Sequence, residues 1–292
     1  MAMSYTPPID NMPTQHDGTE HIAIKNTPLR RLFTRLALRT TAYCFKLDGF
    51  VRPISPNLIV KTGPWVHLTE AATMQFISTN TSIPVPQVHC SFVYNNRAYI
   101  VMERIQGSVL AKTWMTLSEI DRETVLAQLR RMLKELRSLT PPDIKVESCV
   151  NGTLYDSRIP HARPRFGPFQ TIQDFHRWLR DGFRLEDYPD RKGEKDYEDI
   201  EAMITKQNGP WPPPVFTHGD LNPCNILLRG TQVVGIIDWE FSGWYPFYWE
   251  YTAAWYGNRT REWWQGRLDS FIDAHTEELK MEILRQKWWG DF

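Results

Sequence analysis

Between Pro28 and Thr41, apolar residues recur at 29, 32, 33, 36 and 38, the spacing of a short amphipathic helix with arginines on its other face. The fragments TAYCFKLDGFV and NLIVK, the second ending at Lys61 ahead of a Gly63-Pro64 break, predict strands around tight turns. Thr69 is placed to cap a helix through EAATMQFI, which must end before SIPVPQV, where two prolines exclude helix. HCSFVYNNRAYIVME predicts a hairpin about Asn95-Asn96. Beyond Gly107 the spacing becomes helical. Thr116 and Glu119 form a capping box, behind which Ile120, Leu126, Leu129, Leu133, Leu136 and Leu139 stripe a long helix that stops at Pro141-Pro142. FHRWLR (175–180) and DYEDIEAMI (196–204) predict further helices. After the extended GPWPPPV, NILL and VVGII make two short strands turning at Arg229-Gly230, and aromatic-rich helix finishes the chain. The outline is α+β: a small β-rich lobe over 26–105 and a larger, mainly helical lobe over 106–292. Residues 1–25, polar and without periodicity, are expected to be a disordered tail.

Composition narrows the class. The 292 residues carry 34 basic and 34 acidic side chains, with 41% apolar residues, enough for a packed core. That balance lacks the basic surplus of a phosphate-backbone binder, so no nucleic-acid partner is expected. No run reaches the roughly 20 apolar residues that span a bilayer, and no membrane partner is expected. The polar start lacks a secretory apolar core, and Cys44, Cys90, Cys149 and Cys224 stand far apart without a CxxC pair. Both features point to a cytoplasmic protein with reduced thiols.

The chemistry concentrates in His218-Gly219-Asp220-Leu221-Asn222-Pro223-Cys224-Asn225 and in Ile236-Ile237-Asp238-Trp239-Glu240. A loop carboxylate and an Asn five positions on can face one site from two sides, and a hairpin can return a second carboxylate 18 positions further. Two carboxylates and an amide oxygen are hard donors suited to Mg²⁺, which takes few protein ligands and keeps phosphate partners. The remaining Asp can accept the proton of an attacking hydroxyl.

These residues resemble a known family. HGDLNPCN matches the H-[GR]-D-x-x-x-x-N catalytic loop of protein-kinase-like enzymes, and its Gly is that of the aminoglycoside phosphotransferase and choline-kinase-like branch. IIDWE stands where that branch carries its D-[FLW]-[GE] metal motif. IVK before TEA, SIPVPQV and YIVMERIQG extend the resemblance over about 55–260, and IIDWEFSGWYPFYWEY is closest in wording to fungal members. The resemblance implies a protein-kinase-like bilobal fold and an ATP-dependent transfer of phosphate to a hydroxyl of a small molecule, assisted by Mg²⁺. It makes Asp220 the catalytic base and Asn225 and Asp238 the Mg²⁺ ligands. Lys61 would grip the α and β phosphates, oriented by Glu70, and backbone around Glu103 to Ile105 would meet the adenine. His218 and Gly219 would shape the loop, and Glu250 would brace it.

One departure stands out. No G-x-G-x-x-G precedes Lys61, and Gly49 is the single glycine between Tyr43 and Asn57. The phosphate-covering loop must be short or built differently, which leaves a catalytically weak, pseudokinase-like nucleotide-binding module as the alternative. A protein-substrate kinase is disfavoured because no A-P-E segment follows Asp238. Cys224 beside His218 lacks a third orienting group for a thiol nucleophile, and His218-x-Asp220 lacks further histidines at ligand spacing. The twelve tryptophans are expected mainly in the core, Trp239 beside the metal motif excepted. The acceptor and the oligomeric state have no readable code.

Overall fold

The structure, a computed structural model, describes residues 11–46, 49–159, 164–187 and 195–290. Its first part holds α1 (Pro28–Arg39), β1 (Val51–Pro53), β2 (Leu58–Gly63), α2 (Leu68–Asn80), β3 (Val88–Val93) and β4 (Ala98–Glu103). The strands form one antiparallel sheet in the order β1-β2-β4-β3. Alternation along the strands separates the two faces. Ala98, Ile100 and Met102 of β4 meet Leu68, Ala71, Met74 and Ile77 of α2. Val60, Cys90, Phe92 and Val101 point the other way, where Leu38 of α1 packs. Lys61 lies opposite Ile100 in register, so its side chain shares the α2 face.

Several local expectations shift here. Of the strand expected over TAYCFKLDGFV only its last residue, Val51, lies in a strand, Val51–Pro53; Thr41–Cys44 is a 3₁₀ turn, and Leu47 and Asp48 lie outside the described residues. The Thr40 and Thr41 hydroxyls donate to the carbonyls of Leu36 (2.9 Å) and Ala37 (3.3 Å), which carries helical winding past Arg39. The cap of α2 is His67, not Thr69: its Nδ1 accepts the Thr69 N–H at 3.2 Å, and its Nε2 donates to Gln15 O at 2.9 Å. Residues 11–25 are ordered where a disordered tail was expected. A 3₁₀ turn spans Thr19–Ile22, His16 stacks on His67 at 5.4 Å, and Ile24 exchanges hydrogen bonds with Ser91. The apolar stripe of α1 is largely turned outward, with only Leu38 reaching the core.

The second part is mainly helical. It runs β5 (Ser108–Val109), α3 (Leu110–Thr113), α4 (Glu119–Arg137), β6 (Leu154–Tyr155), β7 (Arg165–Phe166), α5 (Ile172–Leu179) and α6 (Lys195–Asn208). β8 (Val215–Thr217), β9 (Ile226–Arg229), β10 (Gln232–Ile236), β11 (Gly243–Tyr245), α7 (Trp249–Gly257), α8 (Glu262–Gln265) and α9 (Thr276–Trp289) follow. The small sheets are β10-β9-β5, β11-β8 and β6-β7. Val125, Leu126, Leu129, Leu133 and Leu136 bury one face of α4, whereas Ile120 is 80% exposed. Ser118 replaces Thr116 as its cap: the hydroxyl accepts Asp121 N–H at 3.2 Å and donates to the Asp121 carboxylate at 2.7 Å. The helix ends at Arg137, one turn before the prolines. Trp244 and Trp264 are fully buried, in keeping with a core role, and Trp239, excepted from that expectation, is buried in the same core. Among the described residues no helix is long and apolar enough to cross a membrane.

Candidate active site

β8 delivers His218, Gly219 and Asp220 into a loop that only one backbone geometry allows. Gly219 has φ +83°, and a Cβ there would stand 2.7 Å from Phe241 O, so no larger residue fits. His218 is buried and neutral, its pKa lowered by burial first. Its Nδ1 accepts Asp220 N–H (3.2 Å) and its Nε2 donates to Ile237 O (3.1 Å), tying the loop to the end of β10. Glu250, the first-turn acid of α7, accepts the N–H groups of His218 (2.6 Å) and Gly219 (3.1 Å).

Asp220 and Asn225 meet directly. The Asn225 amide nitrogen donates to Asp220 O and to Asp220 Oδ2, each at 2.9 Å, and Asn222 Nδ2 donates to the same Oδ2 at 2.9 Å. Both amides therefore hold one carboxylate oxygen and leave Oδ1 as the open one. Burial, then the charge of Asp238, raises the Asp220 pKa against the pull of Arg158 and the two amides.

Lys61 draws the remaining acids together. Its Nζ donates to Glu70 Oε1 (2.9 Å), Asp238 Oδ1 (2.5 Å) and Glu240 Oε2 (3.0 Å). Asp238 adopts φ +67°, the turn that carries its carboxylate back toward β2. One ammonium faces three carboxylates, so all three of its protons are engaged and each acid is under-neutralised. Burial opposes the Lys61 charge, yet the three acids outweigh it and lift its pKa well above the usual amine. Burial, joined by the neighbouring acids, also pushes Glu70 and Glu240 upward despite Lys61. Glu70 Oε2 is buried without a partner.

Glu103 and Ile105 stand apart from this cluster, at the end of β4. The Glu103 N–H donates to Gln87 O (2.9 Å) and its carboxylate accepts Gln87 N–H (3.3 Å). Ile105 rests on β10, where a Cβ on Gly235 would come within 2.7 Å of Ile105 Cδ1. The Ile105 N–H and C=O hydrogen-bond to nothing among the described residues.

Arg158 gave no signal in the sequence. It is bidentate to Asp156 (2.8 and 2.6 Å), donates to Gly219 O (2.5 Å) and lies over the Phe241 ring at 4.8 Å. Its Nη1 stands 3.9 Å from Asp220 Oδ1. It reaches the loop from a distant turn, so nothing near 220 announces it.

The donor set suits Mg²⁺ better than a caged transition metal. Among the described residues no three His, Cys, Asp or Glu side chains form a metal-holding group. What the chain offers is oxygen only: the half-exposed Asp238 carboxylate, Glu240, and the Asn225 amide oxygen left over once its nitrogen has bonded Asp220. Few oxygens, surplus negative charge and room for outside ligands are what a phosphate-borne Mg²⁺ needs.

Residues 68–284 match the family described as "Phosphotransferase enzyme family" (APH). Clavilactone A biosynthesis cluster protein Y of Ampulloclitocybe clavipes is 25% identical over 203 residues, covering 59% of this chain and 48% of that protein. The chain thus spans about half or less of the length of the curated relatives it matches. Among solved structures, the streptomycin–ATP–APH(2")-IIa ternary complex superposes with TM-score 0.53 at 15% identity, covering 88% of this chain and 87% of that one. Aminoglycoside phosphotransferase APH(3'')-Id from Streptomyces rimosus ATCC10970, in complex with ADP and streptomycin, gives 0.52 at 15% identity over 91% and 100%. At such identities the likeness is one of fold: the bilobal kinase-like α+β architecture.

Proposed function

The chain belongs to the phosphotransferase enzyme family, and from that premise we propose that it moves the γ-phosphoryl group of ATP onto a hydroxyl of a small molecule in the cytoplasm, with Asp220 as the base. The observation that carries this reading is the open Oδ1 of Asp220, its other oxygen pinned by Asn222 and Asn225, beside the Lys61–Asp238–Glu240 cluster.

Asp220 Oδ1 aligns the acceptor hydroxyl and takes its proton as the oxygen attacks the γ-phosphorus; the new O–P bond forms while the bridging O–P bond breaks and ADP leaves. The raised pKa of Asp220 makes it a stronger base than an ordinary surface carboxylate. Lys61 exchanges carboxylate partners for nucleotide phosphate, keeping Glu70 as its anchor. Asp238 and Asn225 would hold Mg²⁺, which supplies neutralisation of phosphate charge. Ile105 offers its free N–H and C=O to the adenine edge, with Glu103 fixed beside it by Gln87. On this reading the nucleotide-binding lobe is 26–105 and the catalytic and acceptor-binding lobe is 106–292.

Asp220→Asn is the direct test. ADP release over a panel of hydroxyl compounds should disappear while stabilisation by ATP and Mg²⁺ in a thermal-shift assay persists. An unmutated protein that binds nucleotide yet releases no ADP with any acceptor would instead support the pseudokinase-like reading.

A further inference from the structure

α1 sits on the sheet with its polar side inward. Arg30 Nη1 donates to His89 O (2.7 Å), the Arg31 guanidinium lies over Phe92 (5.9 Å) and that of Arg35 over Tyr94 (3.9 Å), while Thr34 is buried. The outward side is apolar: Leu29 is 64% exposed, Leu32 59%, Phe33 61% and Leu36 53%. At about 100° per residue these four fall within an arc of about 100°, with Arg39 beside one edge and Arg30 beyond the other. Between Glu20 and Asp48 the sequence has six cations (Lys25, Arg30, Arg31, Arg35, Arg39, Lys46) and no carboxylate, in a chain of zero net charge.

A second, separate feature adjoins it. A cavity of about 620 Å³ opens at the C-terminal end of α1, where Arg35 and Arg39 converge with Arg97, Asn95 and Asn96 of the β3–β4 turn. None of its described lining residues is acidic. Three guanidiniums with no carboxylate among the described lining residues suit a phosphate group.

We propose that this face docks on a membrane surface bearing anionic phospholipids. α1 lies flat in the headgroup layer with Leu29, Leu32, Phe33 and Leu36 at the acyl boundary, and the arginine-lined cavity receives a lipid phosphate. Twelve residues make a helix about 18 Å long, too short to span but suited to lying in the interface. A second copy is the poorer occupant, because a two-fold contact would bring two copies of this cation-rich, acid-free segment together. The stripe is also convex, which a deformable lipid layer accommodates and a preformed protein groove must match. The proposal stands whether or not Asp220 performs chemistry.

Flotation of the full chain with vesicles tests it, using phosphatidylcholine alone, or mixed with phosphatidylserine or a phosphoinositide. The protein should float with the anionic vesicles only, and less so as salt rises. Leu32→Glu with Phe33→Glu, and separately Arg39→Glu with Arg97→Glu, should each weaken vesicle binding by at least about tenfold with the unfolding midpoint unchanged. Absence of binding, equal binding to neutral vesicles, or binding indifferent to both variants would overturn the proposal. So would a dimer in sedimentation that the Leu32/Phe33 variant abolishes, since that makes the face an interface between copies.

Discussion

Glu250 offers the sharpest physical test of how the His218–Asp220 loop is held. Its carboxylate is buried, and its two oxygens are the acceptors for two consecutive buried amides, those of His218 and Gly219. Glu250→Ala removes both acceptors at once. Each buried N–H left unpaired costs about 1–3 kcal/mol, so the variant should lose roughly 2–6 kcal/mol. Against a total stability of about 5–15 kcal/mol, that approaches unfolding. Glu250→Gln is the working variant. It keeps one accepting oxygen and turns an NH₂ toward the second amide, a loss of about 1–3 kcal/mol. Urea denaturation should show a lower midpoint at unchanged slope, because the folded surface is the same. Turnover should fall more than nucleotide affinity, since the displaced loop carries Asp220 and not Lys61. A Gln variant within about 0.5 kcal/mol of wild type would refute the idea that these two hydrogen bonds hold the loop.

Other perturbations read different parts of the site. Gly257→Ala would place a methyl 3.3 Å from Arg158 Nη1 and 3.6 Å from Asp220 Oδ1, so acceptor KM should rise with ATP affinity unchanged; an unaltered KM places the acceptor elsewhere. Gly219→Ala imposes φ +83° on a residue with a Cβ and forces it against Phe241 O; a calorimetric midpoint equal to wild type would contradict this. Asp238→Ala should abolish the Mg²⁺-dependent thermal shift by ATP, and a retained shift rules out the ligand role. His176 is held neutral by burial, its pKa pulled down to about 3, with Tyr248 OH at 2.7 Å. Below about pH 6.5 the unfolded chain protonates this histidine and the native one does not, so that share of stability is lost as pH falls. The stability gap between wild type and His176→Gln should therefore shrink by about 1.4 kcal/mol per pH unit below 6.5, and a constant gap contradicts the assignment.

How much of this was legible depended on whether the cause was local. The loop from His218 to Asn225 is short, so its spacing allowed Asp220 and Asn225 to meet, the resemblance to the family motif made that the expectation, and the β9–β10 hairpin returned Asp238. Lys61 and Glu70 met because strand alternation put the lysine on the face that α2 covers. Caps were displaced because a His67 ring nitrogen can do what a Thr hydroxyl does, and because Ser118 lies nearer the helix than Thr116. The orientation of α1 was illegible. Periodicity reveals two faces but not which one meets the sheet, and here guanidiniums stacking on Phe92 and Tyr94 outcompeted leucines. Arg158 was invisible for a similar reason: its partners come from three separate stretches of chain.

Glu240, at the last position of the D-[FLW]-[GE] motif where glycine is the alternative, explains the charge state of the cluster. With glycine there, Lys61 would face Glu70 and Asp238 alone, two acids for three ammonium protons. Glu240 takes the third, so every proton of Lys61 is committed within the protein. A phosphate can reach Lys61 only as Asp238 or Glu240 lets go, and a freed carboxylate beside a phosphate repels it unless a cation stands between. Lys61 and Asp238 are thereby coupled through one shared hydrogen bond, and linkage makes that coupling reciprocal. On the proposed reading, whatever frees Asp238 from Lys61 readies the lysine for phosphate, and whatever occupies the lysine readies Asp238 for a cation.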